Sequence, residues 1–270
     1  MFHYTEQELA HMPLVEGAIE VTAAVDPSFP AGWVKVQLDR LAQEAEEALL
    51  DEPNASLRLD GLIRLFYREW GFRGDHEQYF SSDNVFLDKV LERRKGIPVS
   101  LGAIFLYLAD KLELPVRGVG FPTQFVLKVE WYDAEPQFIN PFDGEYLSKR
   151  VMGAWLKGHR GPFSELRSEY FNTAETIDIL ARWLTVMKSA LLREGLFTEA
   201  LRCSDVVLDA FRPGDPHEIR DRGYIYQQLE CSHAAAMDYE YFIEQCPEDP
   251  AAELLKLQVA ELHKEPLTLH

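Results

Sequence analysis

Ser100 is the residue whose type and position could support nucleophilic chemistry, because it lies where a helix is predicted to begin. A serine hydroxyl attacks an acyl carbon only when a base within hydrogen-bond reach takes its proton. The best imidazole candidates in the same half of the chain are His76, in a polar loop, and His159, beyond the predicted strands. No recognisable motif surrounds either histidine. A hydrolase or acyltransferase built around Ser100 is therefore the alternative interpretation of this sequence.

Asp75, His76 and Glu77 are adjacent residues of types that bind metal ions. Neighbours on one loop rarely converge on one ion without ligands from a second element, so a solvated loop is the expectation here. The sequence also lacks the glycine-rich motifs that hold nucleotide phosphates. We therefore expect no metal ion and no other cofactor.

Two patterns of secondary structure must position these residues. Apolar residues at three- and four-residue steps predict helices from Thr5 to about Trp70 and a further helix over roughly 100–112. Ser82 and Asp83 are predicted to cap a helix over 84–96. After Pro115, branched and aromatic residues predict a small antiparallel sheet, whose strands would cover 116–121, 124–132 and 137–142. In the second strand, Gln124 would share a face with Val126 and Lys128.

The last third of the chain predicts helices whose pattern repeats. The residues at tetratricopeptide spacings are Gly223, Tyr226, Ala235, Tyr239, Phe242 and Pro247, with a weaker copy at Gly195 and Ala200. Ala200 and Ala235 lie 35 positions apart, close to the roughly 34-residue period of that repeat. Two ordinary helical hairpins remain an alternative, since they pack by the same logic. Because two repeats are few for a free-standing solenoid, the module should pack against the first domain or be capped by a tail helix over 251–264.

Charge and composition exclude several classes of partner. The 270-residue chain has 45 acidic and 27 basic residues, a formal net charge of -18, which repels nucleic acid and anionic lipid. No apolar run approaches the roughly 20 residues of a membrane helix, and the first residues lack a secretory pattern. We expect a soluble cytoplasmic protein that binds neither nucleic acid nor membranes. Cys203, Cys231 and Cys246 lack metal spacing and are predicted to be small core residues on helices.

Three segments, in order before the repeats, resemble the SirB family of bacterial proteins. They are NVFLDKVLERRKGIPVSL (84–101), GVGFP (118–122) and the turn NPFDG (140–144). The resemblance covers nearly the whole chain and implies a transglutaminase-like domain followed by C-terminal tetratricopeptide repeats. The wider superfamily has a papain-like fold, with a catalytic cysteine at a helix start and a histidine and an aspartate on neighbouring strands.

Residue by residue, the resemblance implies that this catalytic triad is replaced. Relatives with the cysteine resemble GNC where this chain has Gly96-Ile97-Pro98, which puts Pro98 in the cysteine's place; a register shifted by two offers Ser100 instead. The histidine of a GFPGHF motif becomes Gln124, which cannot relay a proton near neutral pH. The aspartate of a DPF motif becomes Asn140.

Ordinary local roles exist for the same residues: Ser100 as a helix N-cap, Gln124 as a polar strand residue facing a groove, and Asn140 as a turn former before proline. We therefore expect no catalytic residue at Pro98, Ser100, Gln124 or Asn140.

The sequence thus predicts an α+β fold. A helix-rich papain-like or transglutaminase-like domain with a small antiparallel sheet would cover residues 1–165, and an all-α tetratricopeptide-like helical module residues 172–265. The function predicted is that of a non-catalytic interaction or regulatory protein, binding a protein or peptide through its repeats or through a groove. A purely structural scaffold is a third interpretation, and it predicts no usable groove between the helix start and the strands.

Overall fold

Helices occupy the first quarter of the chain, as the apolar spacing predicts. The structure, a computed structural model, describes residues 4–263. The first helices are α1 (Glu6–His11), α2 (Leu14–Val25), α3 (Ala31–Leu49) and α4 (Ala55–Arg64), and a π-helical turn over Leu65–Glu69 continues α4. Asn54 caps α4 by accepting the backbone N–H groups of Ser56 and Leu57, as a polar residue before a helix should.

The helix predicted over 84–96 is shorter and is capped differently. A 3₁₀ turn covers Ser82–Asn84, and it is Ser81 whose side chain accepts the N–H of Asp83. Helix α5 (Leu87–Arg93) follows, with Phe86 at its N-cap and no side-chain cap. The prediction that Ser82 and Asp83 cap this helix was therefore wrong. A short parallel pair, β1 (Arg73–Gly74) and β2 (Lys95–Gly96), ties the preceding loop to the end of α5.

Helix α6 (Pro98–Lys111) begins two residues earlier than predicted. Proline suits the first helical position, since its fixed φ is already helical and no N–H is needed there. Ile97 is the N-cap and Ser100 lies inside the first turn, so the predicted N-cap role of Ser100 was wrong. The Ser100 hydroxyl nevertheless satisfies this helix end, because it accepts the N–H of Ile97 at 3.1 Å.

The small antiparallel sheet is confirmed. Its strands pair in chain order: β3 (Val116–Gly120), β4 (Phe125–Val129), β5 (Gln137–Ile139) and β6 (Tyr146–Leu147). Gln124 lies one residue before β4 rather than within it. One face of the sheet, including Phe125 and Leu127, joins the main core with α6. Residues of the other face, among them Val126, form a second apolar cluster with Met152.

The last third of the chain is helical, as predicted, and carries the tetratricopeptide-like pattern. Its helices are α8 (Thr176–Arg193), α9 (Phe197–Ala210), α10 (Pro216–Gln228), α11 (Ser232–Gln245) and α12 (Pro250–Leu262), and they follow a helix that was not predicted, α7 (Lys149–Arg160), and a 3₁₀ turn over Ser168–Phe171. Gly223 on α10 explains why the repeat needs a small residue. A Cβ added there would lie 2.9 Å from two ring carbons of Tyr239 on α11.

The helical module is joined to the first domain by a shared core. The main apolar cluster runs from Leu9 to Ile225, and α2 packs against both α8 and α9. At Gly17 the approach is close, because an added Cβ would lie 2.6 Å from Leu180 Cδ1. Helix α12 covers the other end of the module, where its Leu255 belongs to a separate cluster with Phe242. The module is thus both packed against the first domain and capped by the tail helix.

The cysteines only partly match their prediction. Cys203 is a buried core residue of α9. Cys231 and Cys246 are half-buried and flank α11 as its N-cap and C-cap, so their placement on helices was wrong. Within residues 4–263, no helix is long and apolar enough to span a bilayer.

Candidate functional site

Gln124 and Asn140, here called the amide pair, lie together beside the sheet. Gln124 Nε2 donates to Asn140 Oδ1 at 3.3 Å. Gln124 directly precedes β4 and Asn140 directly follows β5, so the antiparallel pairing of these strands brings the two residues to the same end of the sheet. Both groups are neutral amides, which exchange hydrogen bonds and transfer no proton near neutral pH.

Asn140 is held in place by the turn that follows it. Its Nδ2 donates to Asp143 Oδ2 at 2.9 Å, and its Oδ1 also accepts the backbone N–H of Phe142 at 3.2 Å. Gly144 has a φ of +79°, which favours glycine. Asn140 therefore acts as the turn former that its position before Pro141 predicts.

Tyr67 closes the turn from the helical side. Its hydroxyl donates to the carbonyl oxygen of Pro141 at 2.9 Å. Burial, reinforced by the Asp143 carboxylate, raises the pKa of this phenol well above its usual range. The hydroxyl is therefore a permanent donor at neutral pH, and it supports the turn rather than exchanging protons.

Ser100 faces away from solvent and is engaged elsewhere. The residue is fully buried, and its hydroxyl donates to the carbonyl oxygen of Asn84 at 2.6 Å. Within the described chain, none of its hydrogen bonds is to a histidine or to the amide pair. Pro98, the first residue of α6, is also buried. Helix α6 approaches the turn at Gly102, where an added Cβ would lie 3.5 Å from Pro141 Cβ.

The two candidate imidazoles lie at separate places. His76 is exposed and packs edge-to-face against Phe142, with 4.4 Å between ring centroids. Through Phe142 it lies near the turn of Asn140. His159 is exposed in the last turn of α7.

Asp75 is a buried partner of Arg93 rather than part of a solvated loop. Its Oδ2 lies 2.8 Å from Arg93 Nη2, and its Oδ1 accepts the backbone N–H groups of Glu77 and Gln78. Burial opposes ionisation, but the hydrogen bond from Gln78 and the positive charges of Lys95 and Arg93 outweigh it and lower the pKa of Asp75. The loop expectation was thus wrong for Asp75. Among residues 4–263, no group of three or more His, Cys, Asp or Glu side chains could hold a metal ion.

Sequence reasoning missed the contact between residues 75–84, here called the aromatic loop, and helix α8. Glu194 is the C-cap of α8, and its carboxylate accepts hydrogen bonds from Ser82 N at 2.8 Å and Ser82 Oγ at 2.5 Å. Arg193 lies over the ring of Phe80, 4.4 Å from its centroid. The residue types alone carry no signal for these contacts, because the partners are more than a hundred positions apart. A weak signal for α8 is that Arg182 and Arg193 recur on one helical face.

A cavity of about 370 Å³ lies apart from the amide pair. It is an open depression bordered by the α1–α2 connection, α6, the start of β3 and the start of α8, and its lining includes Tyr107, Lys111 and Arg117. Gln124, Asn140 and Ser100 are not among its lining residues. The lining carries both signs of charge, since Glu16 and Asp110 also contribute.

Comparison with known proteins agrees with the two-part organisation. Residues 32–185 match the transglutaminase-like superfamily, and residues 187–260 match the tetratricopeptide repeat. The first match ends within α8, which also carries the first residues of the repeat region. No solved structure matches the chain at a significant level.

Full-length relatives are known from several bacteria. The chain is 50% identical to a UPF0162 protein of Vibrio cholerae over 271 residues, which covers 100% of both chains. It is 41% identical to Protein SirB1 of Salmonella typhimurium and 42% identical to the UPF0162 protein YchA of Escherichia coli, each over 263 residues and 97% of both chains. The chain therefore belongs to the SirB1/UPF0162 family, whose members combine a transglutaminase-like core with a tetratricopeptide-repeat region.

Proposed function

We propose that this protein is a non-catalytic interaction protein, in which the transglutaminase-like region keeps its fold and surface while the molecule binds a protein or peptide partner. The observation that carries the proposal is the neutral amide pair. A base and its orienting acid must hold and move a proton, and a glutamine bonded to an asparagine does neither. Pro98, which the family resemblance puts in the nucleophile's place, has no group that could attack an acyl carbon.

The contacts of Ser100 favour this proposal over an enzyme built on that serine. An attacking hydroxyl needs a base to receive its proton, whereas Ser100 Oγ donates to a backbone carbonyl at 2.6 Å. A peptide carbonyl is a poor base and keeps the hydroxyl proton in place. The residue is also fully buried, so a substrate could reach it only after α6 and its surroundings moved.

The repeat region supports the binding half of the proposal. A tetratricopeptide module suggests protein interaction, because its stacked helices form an extended surface. Large apolar side chains on that surface are exposed, namely Tyr224 on α10 and Leu254 and Leu257 on α12. Large exposed apolar side chains on two helices of the repeat region favour a binding role for this region over a purely solvated surface.

Capture of partners by the full chain tests the proposal. Because the repeats share their core with the first domain, the whole protein is used as immobilised bait in a bacterial extract, with crosslinking and competition by free untagged protein. We expect a specific partner that free protein displaces. Substituting Tyr224, Leu254 and Leu257 together by alanine should reduce its recovery, whereas Tyr132→Ala and Phe163→Ala, which truncate even more exposed side chains outside the repeats, should not.

Two results would contradict the proposal. One is the absence of any displaceable partner after crosslinking. The other is acyl transfer or peptide hydrolysis by the purified protein that survives repeated purification and scales with its concentration.

A further inference from the structure

We infer that the surface between the aromatic loop and α8 binds an acidic peptide segment, whose carboxylates contact Arg182 and Arg193. The inference rests on the proposed function and names the chemistry of the partner. The surface lies where the transglutaminase-like region meets α8 at the start of the repeat region, and not on helices α10 and α12.

A row of aromatic rings begins at the turn that carries Asn140. Phe142 lies 6.2 Å from Tyr79, and Tyr79 packs edge-to-face on Phe80 at 5.2 Å, measured between ring centroids. Tyr79 and Phe80 keep 36% and 58% of their surface exposed. Exposed rings held rigidly by one another lose little entropy on binding, which suits a recognition surface.

Two arginines of α8 extend this row. Arg182 and Arg193 are eleven residues apart, which is about three helical turns and places them on one face of α8. Arg193 lies over Phe80, and Arg182 Nη1 donates to the carbonyl oxygen of Phe121 at 3.0 Å. Thr185 and Ser189, between them on the same face, are exposed.

Neither guanidinium forms an ion pair with another side chain that the structure describes. Glu194, next to Arg193 in the chain, instead accepts hydrogen bonds from Ser81 and Ser82. Asp178, one turn before Arg182, is not paired with it. Burial lowers the pKa of Arg182, as expected for a cation that has lost water without gaining a carboxylate. In a chain of net charge -18, two uncompensated cations beside exposed rings form a local site for negative charge.

The spacing of the arginines sets the spacing of the ligand's carboxylates. Eleven residues of helix rise by about 16 Å, which an extended peptide covers in about five residues at roughly 3.3 Å each. Because alternate side chains of an extended peptide share a face, the two carboxylates must be an even number of positions apart, and a spacing of about six also leaves two side chains between them on that face. Arginine binds carboxylates through two parallel hydrogen bonds, which adds geometric selection to charge. The matching ligand is therefore an extended segment with two acidic residues about six positions apart, whose second and fourth intervening side chains are apolar or aromatic and lie against Tyr79 and Phe80.

Fluorescence anisotropy with the full-length protein tests the inference. The probe is a fluorescein-labelled peptide with two glutamates six positions apart, and with leucine and tyrosine at the second and fourth positions between them so that all four side chains share one face. Matched peptides carry glutamine or lysine in place of glutamate, or place the two glutamates side by side. We expect the spaced glutamate peptide to bind most tightly and to weaken as salt is added.

Arginine variants locate the binding. Arg193→Gln should weaken the glutamate peptide about tenfold, the loss expected for one hydrogen-bonded charge pair, and the Arg182→Gln/Arg193→Gln variant should remove detectable binding. Arg193→Lys keeps the charge and should retain part of the affinity. Arg150→Gln, an exposed arginine of α7, should have no effect. Because Arg193 is exposed, its substitution tests the inference even if Arg182→Gln disturbs the fold.

The inference is overturned if the spaced glutamate peptide does not bind, if the glutamine peptide binds equally well, or if Arg193→Gln binds as the parent does. Equal binding of a labelled oligothymidylate would overturn it too, since the surface would then respond to any polyanion. Partner capture separates this inference from the proposed function. If the double arginine variant still recovers the partner of the parent protein, the inference fails and the proposed function stands; if the parent recovers no partner, the proposed function fails.

Discussion

Lys188 and Glu218 form a buried ion pair that joins the two repeats. Lys188 Nζ lies 2.5 Å from Glu218 Oε1, and each side chain is only 8% exposed. Ser204 Oγ donates to the same carboxylate oxygen at 2.7 Å. The pair connects the middle of α8 with the first turn of α10, so it fixes the position of the second repeat on the first.

Lys188 stands at the repeat position that holds a small residue, Gly223, in the second repeat. Lys188 lies 35 positions before Gly223, and Ser204 lies 35 positions before Tyr239. In the second repeat the glycine makes room for the tyrosine ring, whereas in the first repeat Lys188 and Ser204 both reach the Glu218 carboxylate. The first copy thus lacks both the small residue and the aromatic ring of the second copy, which is why it matches the repeat pattern weakly.

Removing Lys188 should strongly destabilise the fold. Lys188→Met keeps most of the volume but leaves the buried Glu218 carboxylate without its cation, which typically costs about 3–5 kcal/mol. Chemical denaturation measures the difference. Arg40→Ala, which breaks the exposed pair of Arg40 and Glu44, is the control and should cost less than about 1 kcal/mol. Equal losses in the two variants would show that the buried pair has no special role.

Gly223→Ala should destabilise the second repeat. The added Cβ would meet the Tyr239 ring at 2.9 Å and Asp238 Cβ at 3.1 Å, and the buried Tyr239 is held by a hydrogen bond to Gln227. Overpacking of this kind costs about 1–3 kcal/mol. Gly32→Ala is the matched change in α3, where an added Cβ meets nothing within 4 Å. That variant should be stabilised by up to about 1 kcal/mol. A neutral effect of Gly223→Ala in thermal unfolding would contradict the packing argument.

The sequence predicted element types well because their signals are local. Apolar periodicity located α2, α3 and α8, and branched residues located β3 and β4. The helix starts were less accurate. Several polar residues compete to cap the segment around Ser81, Ser82 and Asp83, and only backbone geometry decides which one accepts a hydrogen bond.

The candidate site was predictable only where strand pairing determines it. Gln124 and Asn140 were singled out from the family resemblance, and the pairing of β4 with β5 brings them together. The partner of Ser100 was not predictable, because it is the backbone carbonyl of Asn84, sixteen residues away. The contact of the aromatic loop with α8 was missed for the same reason, since it depends on how two regions dock.

Asp75 should make stability depend on acid pH. Its pKa is lowered in the folded state, so its ionised form adds stability above the unfolded value of about 3.9, and this contribution is lost as pH falls toward the folded value. Asp75→Asn should therefore be less stable than the parent by about 1–3 kcal/mol near neutral pH, and the difference should shrink below about pH 4. Urea unfolding at several pH values measures it. The exposed Asp51→Asn should give no such difference, and a gap for Asp75→Asn that stays constant with pH would refute the assignment.

Ser100→Ala separates a structural serine from a catalytic one. The change removes the acceptor of the Ile97 N–H and the donor to the Asn84 carbonyl, both in a buried setting. Leaving such groups unpaired costs about 1–3 kcal/mol, so we expect a lower midpoint of chemical denaturation. Ser56→Ala, at an exposed position in α4, should stay within about 0.5 kcal/mol of the parent. A serine enzyme predicts the opposite pattern: acyl transfer and labelling by a serine-directed probe in the parent, both lost in Ser100→Ala with little change in stability. That result would replace the proposed function with the hydrolase or acyltransferase alternative.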